Sequence, residues 1–283
     1  MLILASEALA PGALTRRELS RSHRKVFRNV YCPREAELSA KDVAVAAWMW
    51  SGRTATVAGA SAAALLGSRW LPPDGPAELA RTGYRSPSGI VVHTGSVADD
   101  EVLPLRGIAC TTPARTAYDL GRRLPMPLSL IRVDALMHAT GVTVAEITAV
   151  AKRYPGARNI RRLRAMLGMA DGGAESPQES RVRLLLVRAG LPRPVTQIPI
   201  TDGYGRVVRR IDMGWPHWKV GVEYDGAQHW TDPHQHADDI DRLEFFADLG
   251  WRMVRVSSRH LRFDPQNVAC RAADALRAAG WPG

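Results

Sequence analysis

The sequence predicts an α+β N-terminal region over residues 1–170, with a winged-helix-like start, joined to an α/β domain over residues 171–283 whose elements run α-β-β-β-α-β-α. Three observations carry this. The chain has 283 residues and a mass of 31.0 kDa, longer than one core usually spans, so about two domains are expected. Charge divides it: residues 1–170 hold 23 Lys and Arg against 13 Asp and Glu, and residues 171–283 hold 15 of each, so the whole +10 excess lies in front. Between them Asp171-Gly-Gly-Ala-Glu-Ser176 is a turn-rich linker.

Thr15-Arg-Arg-Glu18 has the spacing of a capping box, in which hydroxyl and carboxylate satisfy the free amides of a first helical turn, so a helix is expected from about 15 to 23. Val26 to Tyr31 then reads as one strand. Arg16, Arg17, Arg21, Arg24 and Lys25 crowd the helix and its exit, which suits the backbone of DNA. No room is left between Arg21 and Val26 for the second helix of a helix-turn-helix. Residues 41–66, rich in Ala, predict one or two buried helices, and residues 77–109 alternate β-rich runs such as Ile90 to His93 with turns, His93 being an ordinary strand residue. Thr111 to Thr116 leads into a helix through Leu120, and Thr143-Val-Ala-Glu146 is a second capping box. In residues 152–164, Ile160 and Leu163, with Leu167 beyond, mark an apolar helical stripe. Arg158, Arg161, Arg162 and Arg164 lie on the other side, for phosphate contact or for plain solvation.

Several classes are excluded. The longest apolar run, Val43 to Trp50, is too short to cross a bilayer. The start has no basic segment before its short apolar stretch and carries Glu7, unlike an export signal, so a cytoplasmic protein without membrane partners is expected. Cys32, Cys110 and Cys270 are odd in number and form no CxxC pair, which suggests reduced thiols and not a zinc site. An Arg-rich composition imposed by GC-rich DNA is an alternative source of the charge excess.

In the C-terminal domain, Ser176, Pro177 and Glu179 open a helix that ends at Gly190. Strands follow at Val195 to Ile200, Arg206 to Met213 and Lys219 to Asp225, then a helix from about Asp238 to Leu249, a strand Trp251 to Val256, and a last helix capped at Asp264-Pro265. A turn centred between His217 and Trp218 sets Asp212 across from Glu223, and Arg210 across from Asp225. Alternation along the strands puts these four on one face. Three carboxylates then converge and ask for a compensating cation. Hard oxygen ligands suit Mg²⁺ (or Mn²⁺), and such an ion would activate water against a phosphodiester. Asp212, Glu223 and Asp225 are thus the candidate metal ligands and catalytic carboxylates, with His229 as general acid or base. Arg210 pairing with Asp225 is the structural alternative. Arg242 is a candidate phosphate ligand or the partner of Asp239 three residues before it. Glu179 either closes its capping box or supplies a fourth acid.

The ordered motifs Ser176-x-x-Glu179, Ile211-Asp212, Val222-Glu-Tyr-Asp-Gly-x-Gln-His229, Asp239-x-x-Arg242-x-x-x-Phe246-x-x-x-Gly250-Trp251 and Val254-x-Val256 resemble the very-short-patch-repair (Vsr)-like branch of the PD-(D/E)XK nucleases over residues 175–262. That resemblance implies a restriction-endonuclease-like fold and metal-dependent DNA cleavage, with Asp212 and Glu223 on the metal, His229 near the scissile phosphate and Glu179 accessory. The lysine of the superfamily's E-x-K is Asp225 here. The helix and R-x-V-Y strand of the first 35 or so residues resemble the N-terminal domain of AbiEi-type antitoxins, which implies the different-class alternative: a non-enzymatic DNA-binding regulator or antitoxin with a cognate toxin. A protein-interaction module without DNA affinity fits the charge split poorly. The sequence does not fix the oligomeric state.

Overall fold

Thr15 caps the helix it was expected to cap. In the computed structural model, which describes residues 2–10, 14–83, 86–202, 204–226, 242 and 244–283, its hydroxyl accepts from the Glu18 amide and the Glu18 carboxylate accepts from the Thr15 amide. The chain divides into two compact units, Met1–Ala170 and Asp171–Gly283. The described residues form a mixed α/β protein with three sheets.

The first unit opens with β1 (Ile3–Leu4), α1 (Ala5–Ala8) and α2 (Arg16–Ser22). The single strand expected at 26–31 is instead a hairpin, β2 (His23–Phe27) and β3 (Val30–Pro33), in an antiparallel sheet of order β1-β3-β2. Arg28 and Asn29 make the turn between the paired Phe27 and Val30, and Asn29 takes a left-handed φ of 68°, a conformation Asn tolerates better than most residues. Its amide also binds Ser6 through the backbone N–H and the hydroxyl, each at 2.9 Å.

Residues 41–66 form two helices, α3 (Ala40–Trp50) and α4 (Gly59–Leu65). They lie against a five-stranded sheet of order β6-β5-β4-β8-β7, made of β4 (Thr56–Val57), β5 (Ala77–Ala80), β6 (Ile90–His93), β7 (Val102–Leu105) and β8 (Ile108–Thr111). Ala44, Ala47 and Ala62 leave room for Val57, Leu79, Ile90 and Cys110 in one core. Four helices follow: α5 (Pro113–Arg123), α6 (Leu128–Thr140), α7 (Val144–Arg153) and α8 (Ile160–Leu167). Thr143 and Glu146 close a reciprocal capping box on α7. On α8 Ile160, Leu163 and Leu167 are buried, whereas Arg161, Arg162 and Arg164 are exposed. Among the described residues no single helix is long and apolar enough to cross a membrane.

Gly59 shows how tightly α4 is seated. Its φ is 54°, and a Cβ there would stand 2.1 Å from the Glu78 carboxylate, which accepts the Ala60 amide at 2.9 Å and so caps a helix with no cap of its own. Gly59→Ala should therefore cost about 2–4 kcal/mol, adding left-handed strain to loss of the cap. A urea-unfolding midpoint unchanged from wild type would refute this reading.

The second unit begins with α9 (Pro177–Arg188), where the Ser176 hydroxyl accepts from the Glu179 amide. Its sheet, of order β12-β11-β10-β9, is an antiparallel meander of β9 (Val195–Thr201), β10 (Val207–Trp215) and β11 (Val220–Asp225), with β12 (Arg252–Ser257) parallel to β11. Of the helix expected from about Asp238 to Leu249, residues 242 and 244–248 are helical, and 238–241 and 243 lie outside the described residues. The expected element order is present with one addition, the short helix α10 (Ser258–Phe263) ahead of α11 (Pro265–Ala278), which Asp264 caps. Val182 and Leu186 of α9 and Val268 and Leu276 of α11 meet Met213, Val222, Val254 and Val256 in the core. The turn Pro216–Trp218 pairs Met213 with Val222 and Trp215 with Val220, the register that brings Asp212 opposite Glu223.

Candidate functional site

Two regions carry the candidate residues, and each lies within one unit. In the second unit Asp212 and Glu223 come together with Glu179. The Asp212 carboxylate accepts from the Tyr224 amide at 2.8 Å. Burial pushes its pKa up to about 6, and the charges of Glu179 and Glu175 add to this against the opposing Tyr224 N–H and Arg242. Glu223, only 8% exposed, is raised chiefly by burial, with Arg242 opposing. Glu179 is also raised, again chiefly by burial, with the Glu175 N–H opposing. Its carboxylate turns away from the reciprocal half of the capping box, accepting instead from the Glu175 amide at 2.9 Å and from the Gln197 side chain at 3.3 Å.

Two of the candidate carboxylates, Glu223 and Asp225, have arginine partners. Arg242 donates to Glu223 at 2.5 Å and to the Arg210 carbonyl at 3.1 Å, while its guanidinium lies over the Phe246 ring. Asp225 pairs with Arg255, 2.5 Å away, on neighbouring β12. Arg210 does not meet Asp225; it lies 3.9 Å from Glu175. Among the described residues no three His, Cys, Asp or Glu side chains are grouped so as to hold a metal ion. His229 and Asp239 lie outside the described residues. Chemically, the arrangement is a largely buried acidic cluster in which burial raises the carboxyl pKa values of Asp212, Glu223 and Glu179, and arginine opposes it at Glu223 and Asp212.

In the first unit Arg16, Arg17 and Arg21 of α2, Arg24 and Lys25 of β2, and Arg158 and Arg161 at the start of α8 are all exposed. The sheet and helix beneath are held by side chains bonded to main chain. Arg34 donates to the Ser20 and Arg21 carbonyls at the end of α2, and Arg24 donates to the Ala36 carbonyl at 2.8 Å.

A further network escaped the sequence reading. Arg115, 5% exposed, bonds Asp119 at 3.0 Å and also bonds Glu101. Tyr154 donates to Glu101 at 2.9 Å, Arg122 and Arg123 both reach Asp119, and Arg153 holds Asp100. The spacing Arg115-x-x-x-Asp119-x-x-Arg122-Arg123, one face of a helix, was the available signal.

Over residues 43–169, from α3 through α8, the chain matches the family model of the AbiEi antitoxin C-terminal domain. An uncharacterized protein of Mycobacterium tuberculosis strain CDC 1551 / Oshkosh and one of strain ATCC 25618 / H37Rv are each 32% identical over 195 residues, which is 69% of this chain and 71% of theirs. No solved structure matches. The antitoxin match overturns the resemblance to Vsr-like nucleases over 175–262 and, with it, Mg²⁺-dependent phosphodiester hydrolysis as the function. It also moves the AbiEi likeness from the first 35 residues and that antitoxin's N-terminal domain to its C-terminal domain downstream. The chain belongs to the family of these mycobacterial proteins, and carries within it a region similar to the AbiEi antitoxin C-terminal domain.

Proposed function

We infer that the chain is an antitoxin or regulator of an abortive-infection toxin–antitoxin pair, working without catalysis by binding a cognate toxin and DNA. The observation that carries this is the match of residues 43–169 to an antitoxin domain. The start of the chain supports a DNA contact. Between β1 and β2 lie α1 and α2, and the sheet runs β1-β3-β2, the helix placement and strand order of a winged helix. The helix before α2 in this order is α1, so the arrangement needs no helix between Arg21 and Val26. In such a motif the second helix meets the groove, and here it presents Arg16, Arg17 and Arg21 to solvent, with Arg24 and Lys25 on the following strand.

Both contacts are open to test. Co-expression with the product of an adjacent gene that arrests growth on its own should restore growth; continued arrest at matched expression removes the antitoxin reading. Five phosphate contacts would give a slope of log affinity on log salt of about −4.5, or roughly 500-fold weaker binding at 200 than at 50 mM salt. Measured by fluorescence anisotropy on the duplex upstream of its own gene, R16A/R17A should flatten that slope by about two. An unchanged slope would show that these arginines do not face the backbone.

A further inference from the structure

In the first unit the side chains around Arg115 open onto a cavity of about 420 Å³, lined in part by Ser96, Arg115, Tyr118, Arg122, Tyr154 and Arg158. Three cations line it and, among the described residues, no carboxylate does. The acids stand behind: Arg115 is held by Glu101 and Asp119, and Arg122 uses Nε and Nη2 on Asp119. Aromatic rings complete the mounting. The Tyr118 and Tyr154 rings are 5.6 Å apart, the Arg115 guanidinium sits 5.6 and 5.3 Å from their centres, and that of Arg122 sits 5.1 Å from Tyr118. Guanidinium planes fixed in advance lose little further freedom when an anion arrives.

Several donors stay uncommitted. Arg158 is exposed at the rim and makes no ion pair among the described residues, and neither does Nη1 of Arg122. Tyr118 is 2% exposed overall, and its hydroxyl, which bonds no described residue and is not a buried atom, is open to solvent and free to donate to a ligand in the cavity. The volume exceeds what a bare inorganic anion needs and lies in the range of small-molecule pockets.

We propose that this cavity binds a phosphate group carried on a molecule of nucleotide size, either a free nucleotide or the phosphorylated 5′ end of a nucleic acid. Arg122 and Arg158 take the phosphate oxygens, the Tyr118 hydroxyl donates to one of them, and Ser96 lies at the rim for the remainder of the ligand. The cavity shares no residue with the α2 surface and lies within residues 43–169, and its test reads phosphate binding alone, so its outcome is separable from that of the antitoxin reading.

The test is calorimetry on the full chain with adenosine 5′-diphosphate, adenosine, and a ten-nucleotide strand with and without a 5′-phosphate. The diphosphate should bind and adenosine should not. Arg158→Gln should weaken binding about tenfold, and Tyr118→Phe, which keeps the ring, about fivefold; both should retain the wild-type unfolding midpoint. Tighter binding of the 5′-phosphorylated strand than of its hydroxyl counterpart assigns the site to a chain end, and equal binding of the two assigns it to the free nucleotide. Equal affinity for adenosine and its diphosphate, no binding by any phosphorylated probe, or full affinity in folded Arg158→Gln overturns the proposal.

Discussion

Replacing Arg115 with alanine should destabilise the first unit by about 3–5 kcal/mol, the largest effect expected of any single side chain here. The reason is what it leaves behind. Glu101 is 2% exposed and Asp119 is 1% exposed, so neither carboxylate recovers a full water shell when its guanidinium is removed. Arg122 and Arg123 still reach Asp119, and Arg153 and Tyr154 still reach Glu101, which places the effect toward the lower end of the range. Even so, the loss is a large share of the 5–15 kcal/mol that holds a typical domain folded. Arg115→Lys should fall between, keeping the charge but not the fork that serves two acids and two rings. Urea midpoints for the three proteins decide the matter. A loss under about 1 kcal/mol in the alanine variant would mean that the neighbouring arginines carry the network unaided.

What sequence reading could find here follows the range of the interactions. The caps at Thr15, Thr143, Ser176 and Asp264 are contacts across three residues, and each amide arrives where the spacing puts it. The apolar stripe of α8 and the register of the β10–β11 hairpin are equally local, one set by helical period and the other by a short turn. Failures began where partners came from afar. The arginine partners of Glu223 and Asp225 were out of reach because only the charges of their own hairpin were counted; Arg255 arrives on a strand paired in parallel, and Arg242 from beyond residue 226. Arg115 finds Glu101 fourteen residues back, and Glu101 finds Tyr154 fifty-three residues on. The Arg28-Asn29 turn was missed for a different reason: flanking β-formers masked a two-residue reversal that Asn alone signals weakly.

Asp212→Asn should stabilise the protein at neutral pH by about 1–3 kcal/mol and flatten its stability across the acid range. With a pKa of about 6 when folded against 3.8 for the free side chain, Asp212 binds its proton more tightly in the folded state. Below about pH 4 the group is protonated both folded and unfolded and contributes nothing. Between about 4 and 6 the folded protein keeps a proton that the unfolded chain has released, so stability falls as pH rises; above 6 the full cost of burying the ionised carboxylate is present, at most about 3 kcal/mol. Asparagine carries no charge to bury, and its carbonyl can still accept the Tyr224 amide that Asp212 accepts at 2.8 Å. Glu179 and Glu223 are shifted in the same direction, so the variant should keep part of the slope, reduced by the share belonging to position 212. Chemical denaturation of both proteins at intervals from pH 4 to 8 measures this directly. Identical slopes, or an Asn variant less stable than wild type at pH 7, would mean that the Asp212 charge is solvated or compensated in the folded state, and that the acidic cluster is held together by its arginines more tightly than burial pulls it apart.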